Sequence, residues 1–352
     1  MAVESALETI QARLKGWFES KMPQASELSL SPLQKPGMGF SNETFLFDLE
    51  WREAGERKQE KLVIRWCPMR FVLLPKYDME EQFLIMKHLE NTDVPVPKAC
   101  WLEEDESVIG SPFYIVNRIK GWIPGENPSY HVCGPLFEAT PECRAEIWWK
   151  AVTIIGKINT IDWERADLGF LGIPKGGTDP IDRHIAYYEK TLRMTEGEPP
   201  PILEATMDWL KKNRVVPKHV TLCWGDARMS NMIFRDDEVV GVLDWEMALL
   251  GDPESDLMWF LVLDWVFSEA NETPRLEGLP GWEETVEHYQ QLTNRKVENL
   301  FYHEVFATWR AAVIMNKLRP IVKATGYALR DANMKRAMRR GVLERLRSLL
   351  GL

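Results

Sequence analysis

Leu7, Ile10, Leu14, Trp17 and Phe18 recur at helical spacing, which predicts an amphipathic opening helix. Leu33 to Trp51 reads instead as strand, glycine turn and strand. A polar turn over Glu53 to Glu60 then leads into an apolar strand, Leu62-Val63-Ile64-Arg65-Trp66. Asp78 with Glu81 three residues later has the form of a capping box, and Met79, Phe83, Met86 and Leu89 make one face of the helix it opens. Val94-Pro95-Val96-Pro97 is not helix interior, because each proline removes a donor and restricts the residue before it. It marks a linker into a strand pair whose second member, Phe113 to Ile119, ends at Gly121. Antiparallel strands crossed by one helix make a first lobe of about 120 residues.

Beyond Gly121 the pattern changes. Thr140-Pro141 and Asp179-Pro180 each place a capping side chain before a proline, which suits a helix start. Ile147, Trp148, Ala151, Ile154, Ile155 and Ile158 fall on one side of the first of these helices. Val220 to Trp224, Met232 to Phe234 and Val239 to Leu243 are short apolar strands among turns, and periodic helical segments run from Asp252-Pro253 to Leu350. The expected fold class is α+β with two lobes: a small β-rich N-terminal lobe, residues 1–119, and a large, mostly helical C-terminal lobe, residues 120–352.

Composition narrows the function. With 352 residues, 45% hydrophobic and 27% charged, the chain suits two compact soluble units. Its 43 basic against 53 acidic residues give a net charge of −10, which repels polyanions and disfavours nucleic acid as a partner. The longest apolar run, Met258 to Phe267, is broken by Asp264 and is too short to span a bilayer. The N-terminus lacks the apolar stretch of a signal peptide, and five cysteines without C-x-x-C spacing read as thiols in a reducing compartment. A cytoplasmic protein without membrane or nucleic-acid partners is therefore expected, of open oligomeric state. The six histidines show no metal-ligand spacing, and no Gly-x-Ser-x-Gly elbow supports acyl transfer. The terminal helix is rich in arginine, including Arg330, Arg336, Arg340 and Arg345. It reads as a solvated basic face or as a site for an anionic substrate tail.

The informative stretch is Trp224-Gly225-Asp226-Ala227-Arg228-Met229-Ser230-Asn231, followed by Val242-Leu243-Asp244-Trp245-Glu246. Phosphoryl transfer needs oxygen ligands for Mg²⁺, a carboxylate to orient the attacking hydroxyl, and positive charge near the moving group. Two aspartates and an asparagine, on a loop and a strand end, supply hard oxygen donors of the kind Mg²⁺ takes. Arg228 adds a cation two residues after Asp226. Alone, Asp-x4-Asn reads equally as a turn. The series continues with Gly251-Asp252-Pro253 and Asp256-Leu257.

In order and spacing, from about Gln34 to Asp256, it resembles the aminoglycoside phosphotransferase and choline kinase-like family, which has a protein-kinase-like fold. It is most similar to the group related to the kinase-like domain fused to some acyl-CoA dehydrogenases. The resemblance implies that Asp226 is the catalytic aspartate, with Arg228 beside it at the position of a catalytic-loop lysine. It implies that Asn231 and Asp244 hold the metal, that Asp256 braces the catalytic loop, and that Asp252 caps a helix. Gly37-Met38-Gly39-Phe40-Ser41-Asn42-Glu43-Thr44 is similar to the family's nucleotide-positioning loop, which implies phosphate binding at Gly37, Gly39, Ser41 and Asn42. Arg65 stands where the family carries a cation for the phosphates, and Asn117 to Ile119 where backbone groups bind adenine.

The implied activity is transfer of the ATP γ-phosphoryl group, with Mg²⁺, to a hydroxyl of a small molecule; GTP is open as the donor. Three departures are visible. Trp224 replaces the histidine of His-Gly-Asp, Arg65 replaces the commoner lysine, and Gln82 stands where the ion-pairing glutamate belongs, unless Glu80 or Glu81 takes that place. They leave two alternatives: a nucleotide-binding protein of weak or no turnover, and a scaffold that retains the fold.

Overall fold

The computed structural model describes residues 2–36, 43–67, 72–325 and 332–352. The chain divides into two compact units, one of Met1–Glu90 with Pro97–Ile119, the other of Asn91–Val96 with Lys120–Leu352.

In the first unit, helix α1 (Ala2–Lys21) forms where the opening periodicity puts it, and its stripe of Ile10, Leu14, Trp17 and Phe18 is buried. An antiparallel sheet follows, of order β1-β2-β3-β5-β4. Its strands are β1 (Ser26–Leu30), β2 (Glu43–Glu53), β3 (Glu56–Trp66), β4 (Ala99–Glu103) and β5 (Phe113–Asn117). Side chains alternate across a strand, so Leu62, Ile64 and Trp66 of β3 enter the core beneath α1, while Val63 and Arg65 turn to the other face. Helix α2 (Met79–Leu89) packs on β4 and β5, capped by Asp78, which accepts from the Glu81 amide at 2.9 Å.

Three expectations for this unit change. Among the described residues of the Leu33 arm, 33–36, no strand forms; Gln34 makes an isolated bridge to Leu46, and β1 is the neighbour of β2. Pro32 and Pro36 cannot donate to a ladder, whereas β1 adds Leu28 to the core. The segment 53–60 is not a loop: Ala54 and Gly55 (φ 51° and 86°) make a tight hairpin turn, and Glu56 to Glu60 already belong to β3. Those residues are polar because this end of the ribbon lies outside the core, where Arg57 pairs with Glu50 at 2.6 Å and Lys58 with Glu53. On α2 the buried residues are Met79, Gln82, Ile85, Met86 and Leu89, and Phe83 is only half-buried. Positions 79, 82, 86 and 89 fit the helical period as well as the set that includes 83.

The second unit is mostly helical: α3 (Pro135–Glu138), α4 (Pro141–Asn159), α5 (Asp179–Arg193), α6 (Pro201–Lys212), α7 (Glu254–Phe267), α8 (Trp282–Thr293), α9 (Leu300–Thr325) and α10 (Ala332–Leu350). Two small antiparallel sheets sit among them. One pairs β6 (Thr221–Cys223) with β9 (Leu249–Gly251), the other β7 (Met232–Arg235) with β8 (Glu238–Val242). Thr140 caps α4 by accepting from the Cys143 amide at 3.3 Å. Asp179 does not cap α5; it is already helical and accepts from the Lys175 amide at 2.8 Å, closing the preceding loop. Gly121 is required by contact: a Cβ there would lie 2.4 Å from the Phe234 carbonyl oxygen, where Trp122 and Phe234 exchange backbone hydrogen bonds.

An α+β architecture results, with a β-rich unit and a helical unit. Among the described residues no helix is long and apolar enough to cross a membrane. Two cations of the basic terminal helix pair with acidic side chains of the same chain, Arg345 half-buried and Arg340 at the exposed surface. Arg345 pairs with Glu304 at 2.6 Å and lies over Trp265 and Trp282, and Arg340 pairs with Glu272. Arg330 lies outside the described residues.

Candidate active site

After β6 the chain turns through Trp224-Gly225-Asp226, and the turn is held from beneath by Asp256 in the first turn of α7. That carboxylate is fully buried. One oxygen accepts from the Trp224 amide (2.7 Å) and Asn159 Nδ2 (3.0 Å), the other from the Gly225 amide (2.9 Å). Burial pushes the Asp256 carboxyl above its ordinary range, against the pull of these donors. Asn159, at the end of α4, also donates to the Leu222 carbonyl at 3.0 Å and accepts from the Tyr289 hydroxyl at 2.8 Å. The Gly225 carbonyl accepts from the buried Arg310 at 2.6 Å, and the Arg310 guanidinium lies 4.1 Å from the Trp259 ring centroid. Gly225 itself has φ +83°, and the Met247 backbone presses on the space a Cβ would take.

This frame aims Asp226, which is 5% exposed. Its Oδ1 accepts from Trp259 Nε1 at 2.9 Å, and its Oδ2 accepts from Asn231 Nδ2 at 2.8 Å and faces Arg228 Nη2 at 3.0 Å. Arg228 reaches Glu126 at 2.6 Å with its other nitrogen. Burial alone would lower the guanidinium pKa, but Asp226, Glu126, Asp244 and Glu246 outweigh it and raise it. Arg228 is thus held between carboxylates.

Asn231 is joined to the Asp244 turn through backbone: the Leu243 amide donates to the Asn231 carbonyl at 2.9 Å. Trp224 adds a second tie by donating its indole N–H to the Leu243 carbonyl at 2.8 Å. Asp244 follows at once, half-buried, in the left-handed region at φ 63°. A non-glycine residue there costs on the order of 1–3 kcal/mol, a strain that collects at functional sites. Asp252 is not the N-cap of α7, which is Pro253; it lies one residue before, accepts from the Glu254 amide at 3.1 Å and approaches His303.

Asp226, Arg228, Asn231 and Asp244 therefore belong to one neighbourhood of the second unit. Arg65, Asn117 and Ile119 belong to the first. Gly37, Gly39, Ser41 and Asn42 lie outside the described residues. The Asn117 amide donates to the Lys98 carbonyl at 3.0 Å, and its side chain accepts from the Cys100 thiol. Gln82, not Glu80 or Glu81, is the buried polar residue of α2. It accepts from the Tyr114 hydroxyl at 3.4 Å, while Glu81 pairs with Lys76 at 2.5 Å.

The profile of the phosphotransferase enzyme family matches residues 33–293. The chain belongs to that family. Acyl-CoA dehydrogenase family member 10 of Mus musculus is 34% identical over 223 residues, 63% of this chain but 19% of its own length. Probable acyl-CoA dehydrogenase IBR3 of Arabidopsis thaliana is 28% identical over 304 residues, 79% of this chain and 35% of its own. The chain thus spans between a fifth and about a third of these two relatives. Among solved structures, a candidate aminoglycoside phosphotransferase from Ralstonia eutropha JMP134 superposes with a TM-score of 0.69 at 25% identity, over 96% of this chain and 98% of its own. Aminoglycoside phosphotransferase APH(4)-Ia, solved with ADP and hygromycin B, shares the fold at a TM-score of 0.53 and 14% identity, over 93% and 98% of the two chains.

Four residues that the sequence reading did not single out complete the neighbourhood: Glu126, Asn159, Trp259 and Arg310. Trp259→Phe is expected to keep the fold and lower kcat about tenfold or more, since a hydrogen bond to a charged group contributes about 1.5–3 kcal/mol. Nucleotide KM should stay within about twofold if the loss is confined to aiming Asp226. Steady-state kinetics check the split.

Proposed function

We propose that the chain is a Mg²⁺- and ATP-dependent phosphotransferase that moves the γ-phosphoryl group to a hydroxyl of a small molecule. The observation that carries this reading is the Asp226 carboxylate, fixed on three sides by Trp259, Asn231 and Arg228. Asp226 orients the acceptor hydroxyl and takes its proton as the oxygen bonds to the γ-phosphorus. The bond from that phosphorus to the bridging oxygen breaks, and the nucleoside diphosphate leaves with the electron pair. Arg228 holds the carboxylate in line and balances its charge.

The donor set suits Mg²⁺. Asn231 Nδ2 is spent on Asp226, which leaves Oδ1 as its ligand atom, and Asp244 offers a carboxylate. Mg²⁺ held there neutralises charge on the nucleotide phosphates. In the first unit, Arg65 and the loop of Gly37, Gly39, Ser41 and Asn42 are assigned to those phosphates, and the segment from Asn117 to Ile119 to adenine. The Ile119 backbone groups make no hydrogen bond among the described residues, whereas the Asn117 amide is used in the sheet. On this division residues 1–119 handle nucleotide and residues 120–352 carry catalysis and the acceptor. All five cysteines are free thiols, which fits a cytoplasmic setting.

A binding-only reading rests on Gln82. Its Nε2 is buried without a hydrogen-bond partner among the described residues, and an amide supplies no ionic clamp for a phosphate-binding cation. Both readings require a nucleotide site. Mg²⁺ with ATP at a hundredfold above Kd should stabilise the folded chain by about 2.7 kcal/mol. The gain should vanish in the combined Asn231→Ala and Asp244→Asn variant. A melting temperature indifferent to millimolar Mg²⁺–ATP, read by differential scanning fluorimetry, contradicts both.

A further inference from the structure

Away from Asp226, a second set of metal-type side chains converges at the start of α7. Asp252, Glu254 and His303 each direct one ligand atom into a space where all three atoms lie within 4.8 Å of one another. His303 Nε2, on the fully buried ring of α9, is 3.2 Å from Asp252 Oδ2 and 3.7 Å from Glu254 Oε2. Neither approach is a hydrogen bond: His303 Nε2 and Glu254 Oε2 are both buried without a hydrogen-bond partner. The remaining carboxylate oxygens are accounted for. Asp252 Oδ1 accepts from the Glu254 amide, and Glu254 Oε1 accepts from the Glu298 amide at 2.6 Å.

The buried Asp252 carboxylate and the half-buried Glu254 carboxylate face the His303 ring with no cation between them. Among the described residues no lysine or arginine pairs with Asp252 or Glu254. Uncompensated buried charge is expensive, so a positive species belongs between the three atoms. A proton is one occupant: burial, set against the bond from the Glu298 amide, pushes the Glu254 carboxyl up to about 7. The spacing fits a metal better. Bonds of about 2.0–2.1 Å in tetrahedral array put ligand atoms about 3.3–3.4 Å apart, which the two measured edges of 3.2 and 3.7 Å bracket. An imidazole with two carboxylates suits zinc and its first-row neighbours, whereas Mg²⁺ favours oxygen donors in an octahedron. The ligands come from chain positions 252, 254 and 303, remote enough that sequence spacing does not announce them.

We propose that Asp252, Glu254 and His303 bind one zinc-type divalent cation, distinct from the Asn231 and Asp244 pair, and that this ion fastens α9 to the first turn of α7. Asp256, the brace of the Trp224-Gly225-Asp226 turn, lies two residues beyond Glu254. The ion stiffens the support of the catalytic loop without touching substrate.

The test uses the full chain carrying Asp244→Asn, which removes the other divalent site, after stripping with a chelator. Titration with Zn²⁺, read by elemental analysis after gel filtration, should give one bound equivalent. The melting temperature should rise by about 5 °C at free zinc a hundredfold above Kd. Adding His303→Gln or Glu254→Gln should abolish both effects. Because a buried substitution can prevent folding, Co²⁺ is added to the same Asp244→Asn chain as a second measurement. The intense visible absorption of low-coordinate cobalt, displaced by one equivalent of Zn²⁺, is expected. No bound zinc, equal zinc in a folded His303→Gln chain, or no visible cobalt band overturns the proposal. Any of these leaves the phosphotransferase reading intact.

Discussion

Asp226→Asn should lower kcat about 10³-fold, the middle of the range for a positioned general base. The substitution keeps the shape of the side chain but removes its charge and proton affinity. It also sets an amide NH₂ against donors, since Asn231 Nδ2 and Arg228 Nη2 point at one oxygen and Trp259 Nε1 at the other. Whichever way the new amide turns, it faces a donor with a donor. Stability should fall by about 1–3 kcal/mol, the cost of unsatisfied buried groups. A thousandfold rate loss corresponds to about 4 kcal/mol of barrier, so activity should fall further than stability. Nucleotide affinity should change less than about threefold. Initial rates of ADP release, with melting temperature measured on the same preparations, separate the two effects. A kcat within tenfold of the unsubstituted chain would remove Asp226 from the chemistry.

The largest stability effect is expected at Gly225. An alanine Cβ there would lie 1.9 Å from the Met247 carbonyl oxygen and 2.4 Å from its carbon, both backbone atoms that cannot rotate away. The φ of +83° adds about 1 kcal/mol for any L side chain. Retreat of the loop is blocked as well, because the Gly225 amide is bonded to Asp256 and its carbonyl to Arg310. Gly225→Ala should therefore cost more than about 4 kcal/mol, in the range of the most damaging substitutions. Gly55 is the control: its φ is +86°, yet nothing lies within 4 Å of the added Cβ, so Gly55→Ala should cost only about 1 kcal/mol. Denaturant midpoints of the two variants give the comparison. Equal midpoints would mean that the packing of the 246–248 turn on Gly225 is wrongly described.

The candidate site residues are legible in sequence because Asp226, Asn231 and Asp244 occupy one short stretch, where loop and strand end are fixed by local pattern. Their supports are not. Glu126 sits in an irregular segment about a hundred residues upstream of Arg228, and no periodicity marks it. Trp259 lies in a helix buried on nearly every side, so its indole N–H is hidden among core residues until α7 is placed against the loop. Arg310 reads as one more charge on a helix; only packing reveals it as a buried cation between the Gly225 carbonyl and aromatic rings. Asn159 looks like a helix end, and its bond to Asp256 spans 97 residues. In the first unit β1 is hard to read because Ser26 to Leu30 offers a single buried leucine, and the buried face of α2 is ambiguous because Gln82 and Phe83 fit the helical period equally well and hydrophobicity favours Phe83. Local rules found what is local, and the tertiary supports needed coordinates.

The most direct measurement follows phosphorus itself. With Mg²⁺ and ATP, a panel of aminoglycoside, sugar, amino-alcohol and hydroxyacyl-thioester acceptors is monitored by ³¹P NMR. For at least one acceptor the γ-phosphate signal should give way to a phosphomonoester signal, with ADP formed in equal amount, and Asp226→Asn should leave the spectrum unchanged. Formation of the same phosphomonoester at the same rate by the Asp226→Asn chain, or bound ATP that stays intact with every acceptor, would contradict the account.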